Sequence, residues 1–299
     1  MERQTPIKPQ VRPHVRGFFE HLTSSIQYVV SDPVTRQCAI IDPVLDFDEK
    51  SGSTTTRSAD EILDYVAEER LSVAWILDTH PHADHLSAAQ YLKRMIGAPT
   101  AIGEHVVDVQ ALWKDIYNWP TLPADGSQWD RLFKDGDRFR IGELDARVLF
   151  SPGHTLASIS YLIGDAAFIH DTMLMPDGGT ARADFPGGNA ATLWRTIQTI
   201  LSLPDETRLF TGHDYQPGGR EPRWESTVGE QKRLNPHVNV TERVFVTLRE
   251  ARDRTLPMPK LILHALQVNI AGGKLPEPEA NGTRYLKFPL DALTGAAWE

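Results

Sequence analysis

The sequence is poor in cysteine and has no long apolar run. Cys38 is the single cysteine among 299 residues, which excludes an intrachain disulfide and a metal site built from several thiolates. No segment approaches the roughly 18 consecutive apolar residues of a membrane-spanning helix. The first residues also lack the apolar stretch of a secretory signal. These absences predict a protein of the reducing cytoplasm that is not inserted in a membrane.

Positive charge is also scarce. The chain has 31 Lys and Arg residues against 40 Asp and Glu residues, a formal net charge of −9. An acidic surface is repelled by a phosphate backbone and by anionic lipid headgroups. The composition therefore argues against nucleic acid or a membrane as the main partner, although a local basic pocket is compatible with it.

Short β-rich runs and amphipathic segments alternate along the first half of the chain. Residues 27–32 and 37–42 are β-rich and are separated by the turn-like sequence DPVTR, which predicts a hairpin. Ser58, with Glu61 three residues later, has the pattern of a capping box and predicts a helix that continues to about residue 69. Residues 73–78 are typical of a buried strand.

The second half continues this alternation. Apolar periodicity predicts strands at residues 146–150, 159–163, 166–169 and 208–210, and helices at residues 190–203 and 241–254. Hairpins come first and helices are interleaved later. This order favours an α/β sandwich with mixed sheets over a doubly wound parallel sheet.

Four metal-binding side chains lie within six residues of one another. The stretch LDTHPHADHLSAA carries His80, His82, Asp84 and His85 directly after the predicted strand at residues 73–78. The two histidines that are two residues apart should project to the same side. The alternative is a polar loop at a helix start, in which Asp84 caps backbone N–H groups.

Three more metal-binding residues follow β-rich runs later in the chain. They are His154 in FSPGHTLAS, Asp171 in FIHDTML and His213 in LFTGHDYQ. Residues at several strand ends can converge on one rim of a sheet. Taken alone, the aspartate suits a turn and each histidine suits a buried, hydrogen-bonded position. Together with the first four, they predict a metal site.

This constellation resembles the metallo-β-lactamase superfamily, whose fold is an αββα sandwich of two mixed β-sheets flanked by helices. The resemblance covers residues 18–236 and implies that they form the catalytic domain. Residues 237–299 are then a helical and extended C-terminal extension that packs on the same domain. The superfamily pattern implies one metal pocket from His80, His82 and His154, a second from Asp84, His85 and His213, and Asp171 as the shared carboxylate.

Within the superfamily, several stretches resemble the persulfide dioxygenases. They are THPHADHLSAA, SPGHTLASISY, RADF, TGHDY and LNP; PKLILHALQVNIAGGKLPEPE resembles the tail of bacterial members. The resemblance implies oxidation of glutathione persulfide by O₂ and water to sulfite and glutathione. It implies one Fe(II) per chain, held by His80, His154 and Asp171. The residues that would orient ligands or metal-bound water are His82, Asp84, His85 and His213.

Two other interpretations of the sequence are open. Seven intact metal-binding residues also suit a glyoxalase II-like thioesterase that acts on an acylglutathione with two Zn(II) per chain. Pro81 stands where that family usually has another histidine. A metal-binding or sensor protein without catalysis is the third reading, and it would show neither oxygen-dependent nor thioester-dependent turnover.

The last predictions concern the substrate contacts, the residue before Asp171 and the oligomeric state. Glutathione carries two carboxylates, which Arg or Lys side chains would bind. His170 stands where many persulfide dioxygenases have glycine. Its side chain is expected either to donate a hydrogen bond to the metal site or to face the core. A homodimer is compatible with the sequence. The predicted substrate contacts are Arg182, Tyr215, Arg220, Lys260 and Asn269.

Overall fold

The computed structural model describes residues 12–293, which form strands and helices in alternation. The strands are β1 (His14–Glu20), β2 (Ser25–Ser31), β3 (Gln37–Ile41), β4 (Val44–Asp48), β5 (Ser53–Thr55), β6 (Ser72–Leu77), β7 (Leu86–Ser87), β8 (Thr100–Gly103), β9 (Arg131–Phe133), β10 (Arg138–Ile141), β11 (Leu144–Phe150), β12 (Ile159–Ile163), β13 (Ala166–His170), β14 (Arg208–Thr211) and β15 (Glu225–Thr227). The α-helices are α1 (Arg57–Glu68), α2 (Ala89–Ile96), α3 (Val106–Ile116), α4 (Ala190–Leu201), α5 (Val228–Leu234), α6 (Glu242–Asp253) and α7 (Ile262–Asn269).

The strands form two large mixed sheets and one small one. The first six-stranded sheet has the order β1-β2-β3-β6-β8-β9, and the second has the order β10-β11-β12-β13-β14-β15. In the first sheet β3, β6, β8 and β9 run parallel, whereas in the second only β13 and β14 do. The small sheet joins β5, β4 and β7. The predicted α/β sandwich with mixed sheets is confirmed.

The core lies between the two large sheets and is continued on their outer faces. Tyr28 of the first sheet and Phe168 of the second belong to the central apolar cluster. A second cluster joins the other face of the first sheet to α1, α2 and α7. A third joins the second sheet to α4 and α6. Burying each large apolar side chain in these clusters contributes about 1.5–3 kcal/mol. The clusters hold together four successive layers, which are helices, the first sheet, the second sheet and helices.

Most predicted elements are present, but the predicted capping box at α1 is wrong. The hairpin of β2 and β3 forms as expected, and β12 has the predicted bounds. Ser58 does not cap α1, because its N–H and hydroxyl both donate to the Asp46 carboxylate, at 2.9 and 2.7 Å. The residue before α1 is Thr56, whose side chain makes no capping bond to the helix backbone.

The chain after residue 236 supplies two helices that pack on the sandwich. Helix α6 lies against α4, and α7 lies against β7. The predicted extension ends at residue 299, and its last six residues, 294–299, lie outside the described part. Its treatment as a separate segment stays a prediction. Among the described residues, no helix combines the length and the apolar character needed to cross a bilayer.

Candidate metal centre

Strand ends from both large sheets converge on one rim of the sandwich. The loop after β6 carries the HxHxDH stretch. The loop after β11 carries His154, Asp171 directly follows β13, and His213 lies two residues after β14. Neighbouring strands thus bring together side chains that are more than 130 residues apart in sequence, as the sequence predicted.

Two histidines and one carboxylate form the first metal-binding group. His80 Nε2 lies 3.8 Å from Asp171 Oδ2, and His154 Nε2 lies 3.5 Å from the same oxygen. All three side chains are buried, and one ligand atom of each lies within 4.8 Å of the others. Among the described residues, His80 Nε2 and Asp171 Oδ1 have no hydrogen-bond partner. Because unpaired buried polar atoms are costly, this group fits a bound metal ion.

The backbone and a hydroxyl fix the orientation of both histidines. His154 Nδ1 lies 2.8 Å from the carbonyl oxygen of Arg182, which can only accept, so Nδ1 carries the proton and Nε2 has its lone pair free. His80 Nδ1 lies 3.0 Å from the Thr79 hydroxyl. That hydroxyl donates to Asp42 and therefore accepts from His80. Each imidazole thus presents an unprotonated Nε2 to a metal.

The second group lies beside the first, and His213 lies between the two. His82, Asp84 and His85 each offer an atom within 4.8 Å of the others. His213 Nε2 lies 3.3 Å from Asp84 Oδ2 and 3.4 Å from Asp171 Oδ2. The structure therefore brings all seven predicted residues together, with His213 between the two carboxylates.

His82 differs electrostatically from the other histidines. Burial alone would lower its pKa, but the Asp42 carboxylate, whose Oδ1 lies 3.0 Å from Nε2, outweighs burial and raises the pKa to about 9. Burial lowers the pKa of His80 well below its usual value and that of His85 to about 4. His80 and His85 are therefore neutral, whereas His82 is directed to Asp42. Asp42 was not predicted from the sequence, although it ends a β-rich run as the metal-binding residues do.

His170 lies beside His80. Its ring centroid is 5.3 Å from that of His80, and neither of its ring nitrogens has a hydrogen-bond partner within residues 12–293. Burial lowers its pKa to about 3. The strand register shifts between Phe168 and His170, and His170 has a φ of 41°. This irregularity interrupts the alternation of side chains along β13. The expectation that His170 faces the core had assumed that alternation.

A cavity of about 1320 Å³ opens beside the metal-binding groups. Asp84, His154, Asp171 and His213 reach its wall. The wall also includes the 44–50 segment, residues of α6 and the loop that follows α6, and residues between 174 and 182. A ligand pocket of this kind typically holds a whole small molecule beside the reacting group.

Three of the five predicted substrate contacts line this cavity. Tyr215 is 61% exposed, and its ring stacks on that of His213 at 5.5 Å. Lys260 Nζ lies 2.7 Å from Glu49 Oε1 at the surface. Arg182 reaches the wall, but its guanidinium donates to both oxygens of Asp184 and to the Pro257 carbonyl. Asp184 therefore braces Arg182.

The other two predicted substrate contacts are placed elsewhere. Arg220 does not line the cavity, because its guanidinium is bound to the carboxylates of Asp177 and Asp214. Asn269 is buried and also absent from the wall. Its amide is bound to the backbone of the loop that carries the HxHxDH stretch. Both predictions are corrected: these side chains already have protein partners.

Comparison with known proteins identifies the family. Residues 27–213 match the profile of the family described as the metallo-beta-lactamase superfamily. The chain belongs to the metallo-β-lactamase superfamily. Metal binding at the rim of the sandwich therefore agrees with both the family and the geometry.

Relatives and a solved structure refine this assignment. The chain is 73% identical over 287 residues to a "Beta-lactamase hydrolase-like protein" of Xylella fastidiosa, covering 96% of this chain and 67% of that protein. It is 47% identical to "Glyoxylase B2" of Dictyostelium discoideum, covering 93% of this chain and 97% of that protein. It is 28% identical to human "Persulfide dioxygenase ETHE1, mitochondrial", covering 87% of this chain and 88% of that protein.

The structural comparison agrees with the last of these. The crystal structure of ETHE1 from Myxococcus xanthus has a TM-score of 0.71 and 33% sequence identity, covering 87% of this chain and all of that chain. The resemblance to the persulfide dioxygenase family is confirmed. The names of the relatives include both hydrolases and a dioxygenase, so family membership and the reaction of this chain are separate questions.

Proposed function

We propose that this protein is an Fe(II)-dependent persulfide dioxygenase that converts glutathione persulfide, O₂ and water into sulfite and glutathione. The observation that supports the proposal most is the first metal-binding group. His80, His154 and Asp171 converge, whereas His82 Nε2 lies 3.0 Å from Asp42 Oδ1. Two imidazoles and one carboxylate are the ligand set of non-haem Fe(II) oxygenases.

The residues around this group would prepare a site for one iron per chain. When bound there, Fe(II) would supply the open coordination positions and the redox activity that O₂ chemistry requires, while the four electrons that reduce O₂ come from the outer sulfur of the persulfide. Asp171 contributes the negative charge: burial raises its pKa, but nearby His213 outweighs this and holds the pKa well below its usual value. The carboxylate therefore stays ionised, and His80 and His154 stay neutral.

The cavity would hold the thiol that carries the persulfide. Tyr215 and Lys260 lie on its wall and could bind the carboxylates of glutathione. Arg252 lines the same wall, and its guanidinium has only a 3.5 Å contact to Thr255 Oγ1 among the described residues. The reaction consumes one O₂ and one water for each persulfide, since sulfite gains three oxygens and glutathione regains its thiol proton.

One alternative function has its own supporting observation. His213 lies between Asp84 and Asp171, an arrangement that would also suit two Zn(II) ions and a zinc-bound hydroxide. A relative named "Glyoxylase B2" is 47% identical to this chain. The alternative is therefore a dinuclear zinc thioesterase that hydrolyses an acylglutathione.

Metal analysis of variants tests the proposal. Protein purified without oxygen should contain about one iron per chain, and His80→Ala or Asp171→Ala should reduce the iron to less than about a tenth, because each removes one of three ligands. His105→Ala is the matched control, since His105 is half-exposed and pairs with Asp108 away from the site. Two zinc ions per chain, with hydrolysis of an acylglutathione, would support the thioesterase instead.

A further inference from the structure

The loop that carries the HxHxDH stretch has almost no regular structure of its own. Residues 78–85 lie between β6 and β7 and belong to neither a helix nor a strand. The backbone N–H and C=O groups of a buried loop must find partners outside a ladder. At the start of the loop, Asp42 accepts a hydrogen bond from the Thr79 N–H at 2.7 Å. The contacts that hold the other end of the loop therefore affect the positions of its metal-binding side chains.

A single side chain binds that end at three points. Asn269 Oδ1 accepts from the Ser87 N–H at 2.8 Å, and Asn269 Nδ2 donates to the carbonyl oxygens of His82 and His85, each at 2.8 Å. The side chain is buried. Both amide hydrogens and the amide oxygen are thus used on one turn of the chain, residues 82–87.

Only an amide of this length satisfies all three contacts. Aspartate would place a second acceptor against the two carbonyl oxygens, and leucine offers neither a donor nor an acceptor. Glutamine is longer by one methylene group and would not fit the same packed position without displacement. The chemistry of the turn therefore specifies asparagine.

The helix that carries Asn269 lies outside the part of the chain that matches the superfamily. The match covers residues 27–213, whereas α7 spans Ile262–Asn269. The contacts join residues 182 to 187 positions apart in sequence. A helix outside the matched residues therefore contacts the loop that carries the HxHxDH stretch.

We propose that Asn269 is a positioning residue of the metal centre. Its amide fixes the turn at residues 82–87, which sets the directions of Asp84 and His85. It also sets the direction of His80, which is joined to this turn through Pro81 alone. Groups that hold metal ligands in place typically change metal affinity by 10- to 100-fold when they are removed. The inference rests on metal binding by this site and is independent of whether the reaction is oxidation or hydrolysis.

A second amide on the same helix provides the matched control. Gln267 is also buried, and its amide donates to the Lys287 carbonyl and accepts from the Lys287 N–H, at 2.8 and 3.0 Å. These bonds join α7 to the tail, away from the metal-binding loop. Removing them removes buried hydrogen bonds of α7 while leaving the loop contacts unchanged.

The experiment compares Asn269→Leu with Gln267→Leu in the full chain, using Co(II) as the metal probe. Three quantities are measured: the Tm of metal-free protein, Co(II) affinity in competition with a chelator, and the visible absorption of the Co(II) protein. Both variants should lose Tm. Asn269→Leu should also weaken Co(II) binding by 10- to 100-fold and change the absorption bands, whereas Gln267→Leu should leave both at the wild-type values.

A milder variant keeps the test decisive if Asn269→Leu does not fold. Asn269→Ser shortens the side chain and leaves room for water to reach the two carbonyl groups, so it should fold and show a smaller loss of Co(II) affinity in the same direction. Wild-type affinity and wild-type absorption in a folded Asn269 variant would overturn the proposal. So would an equal loss of affinity in Gln267→Leu. If neither oxygen uptake nor hydrolysis is detected, the Co(II) measurements still decide this inference.

Discussion

Single side chains differ in how far the sequence reveals them. The seven metal-binding residues were predictable because histidines and aspartates at strand ends have few other reasons to cluster. The difference between His82 and the other histidines was not predictable from the sequence. It depends on Asp42, whose Oδ1 lies 3.0 Å from His82 Nε2 only in the folded chain. Asn269 was predicted as a substrate contact, but its buried partners are backbone groups of the metal-binding loop.

Cys38 gives a prediction that depends on burial alone. Burial raises the pKa of its thiol from 9.0 to about 12. The folded-state pKa lies above the unfolded value, so the thiol's contribution to stability is complete below about pH 9 and is lost as the pH rises toward 12. Since only the thiolate reacts, labelling by a thiol reagent at pH 8 should be roughly a thousandfold slower in folded than in denatured protein. Equal rates in the two states would contradict this burial.

Lys260 gives a prediction about substrate binding. It lies on the cavity wall and its ammonium is well exposed, so it could bind a carboxylate of glutathione before and during the reaction. Lys260→Gln should raise KM for glutathione persulfide by about three- to tenfold and leave kcat unchanged, because uniform binding is lost. Lys232→Gln is the control, since Lys232 pairs with Asp205 and does not line the cavity. An equal change in both variants would exclude a specific contact.

At the scale of helices and strands, periodicity predicted the elements better than their ends. Strand β12 has the predicted bounds because its apolar run ends at turns on both sides. The sequence pattern from Ser87 to about Met95 predicts a helix directly after the HxHxDH stretch, but this predicted start is early. Leu86 and Ser87 pair with β4 instead, and α2 begins at Ala89. Local sequence cannot show such a pairing, because the partner strand lies some 40 residues earlier.

Helix α4 has the clearest cap and gives a prediction about stability. Asn189 is exposed, and its side chain accepts a hydrogen bond from the Thr192 N–H at 2.9 Å. Asn189→Ala should reduce the free energy of unfolding by about 1 kcal/mol, measured by denaturant titration. Thr192→Ala keeps the backbone donor and should cost less. A loss in Thr192→Ala as large as that in Asn189→Ala would show that the cap is not the cause.

At the scale of the whole molecule, the order of the elements along the sequence was enough to predict the fold class. Early hairpins, later interleaved helices and metal-binding residues at strand ends are consistent with one sandwich. The support that the C-terminal helices give to the metal-binding loops was not predictable. It requires the placement of α6 and α7: Asp253 of α6 accepts from the Ala183 N–H at 3.0 Å, next to the Arg182 carbonyl that orients His154.

Metal binding should stabilise the whole fold, because an unfolded chain has no preformed site. A metal ion at a hundred times its Kd adds about 2.7 kcal/mol. Removing the metal should therefore lower Tm by roughly 5–10 °C, measured by calorimetry with and without a chelator. Asp171→Ala should show no such difference. A chelator effect of the same size in that variant would place the stabilising metal elsewhere.

The central claim is that this chain oxidises a persulfide with O₂ at a mononuclear iron site. The most direct measurement records oxygen consumption and sulfite formation on adding glutathione persulfide to protein whose iron content is known. We predict that one O₂ is consumed and one sulfite is formed for each persulfide, at a rate proportional to the iron in the sample. No persulfide-dependent oxygen uptake by iron-replete protein, together with hydrolysis of an acylglutathione by the zinc form, would contradict the account.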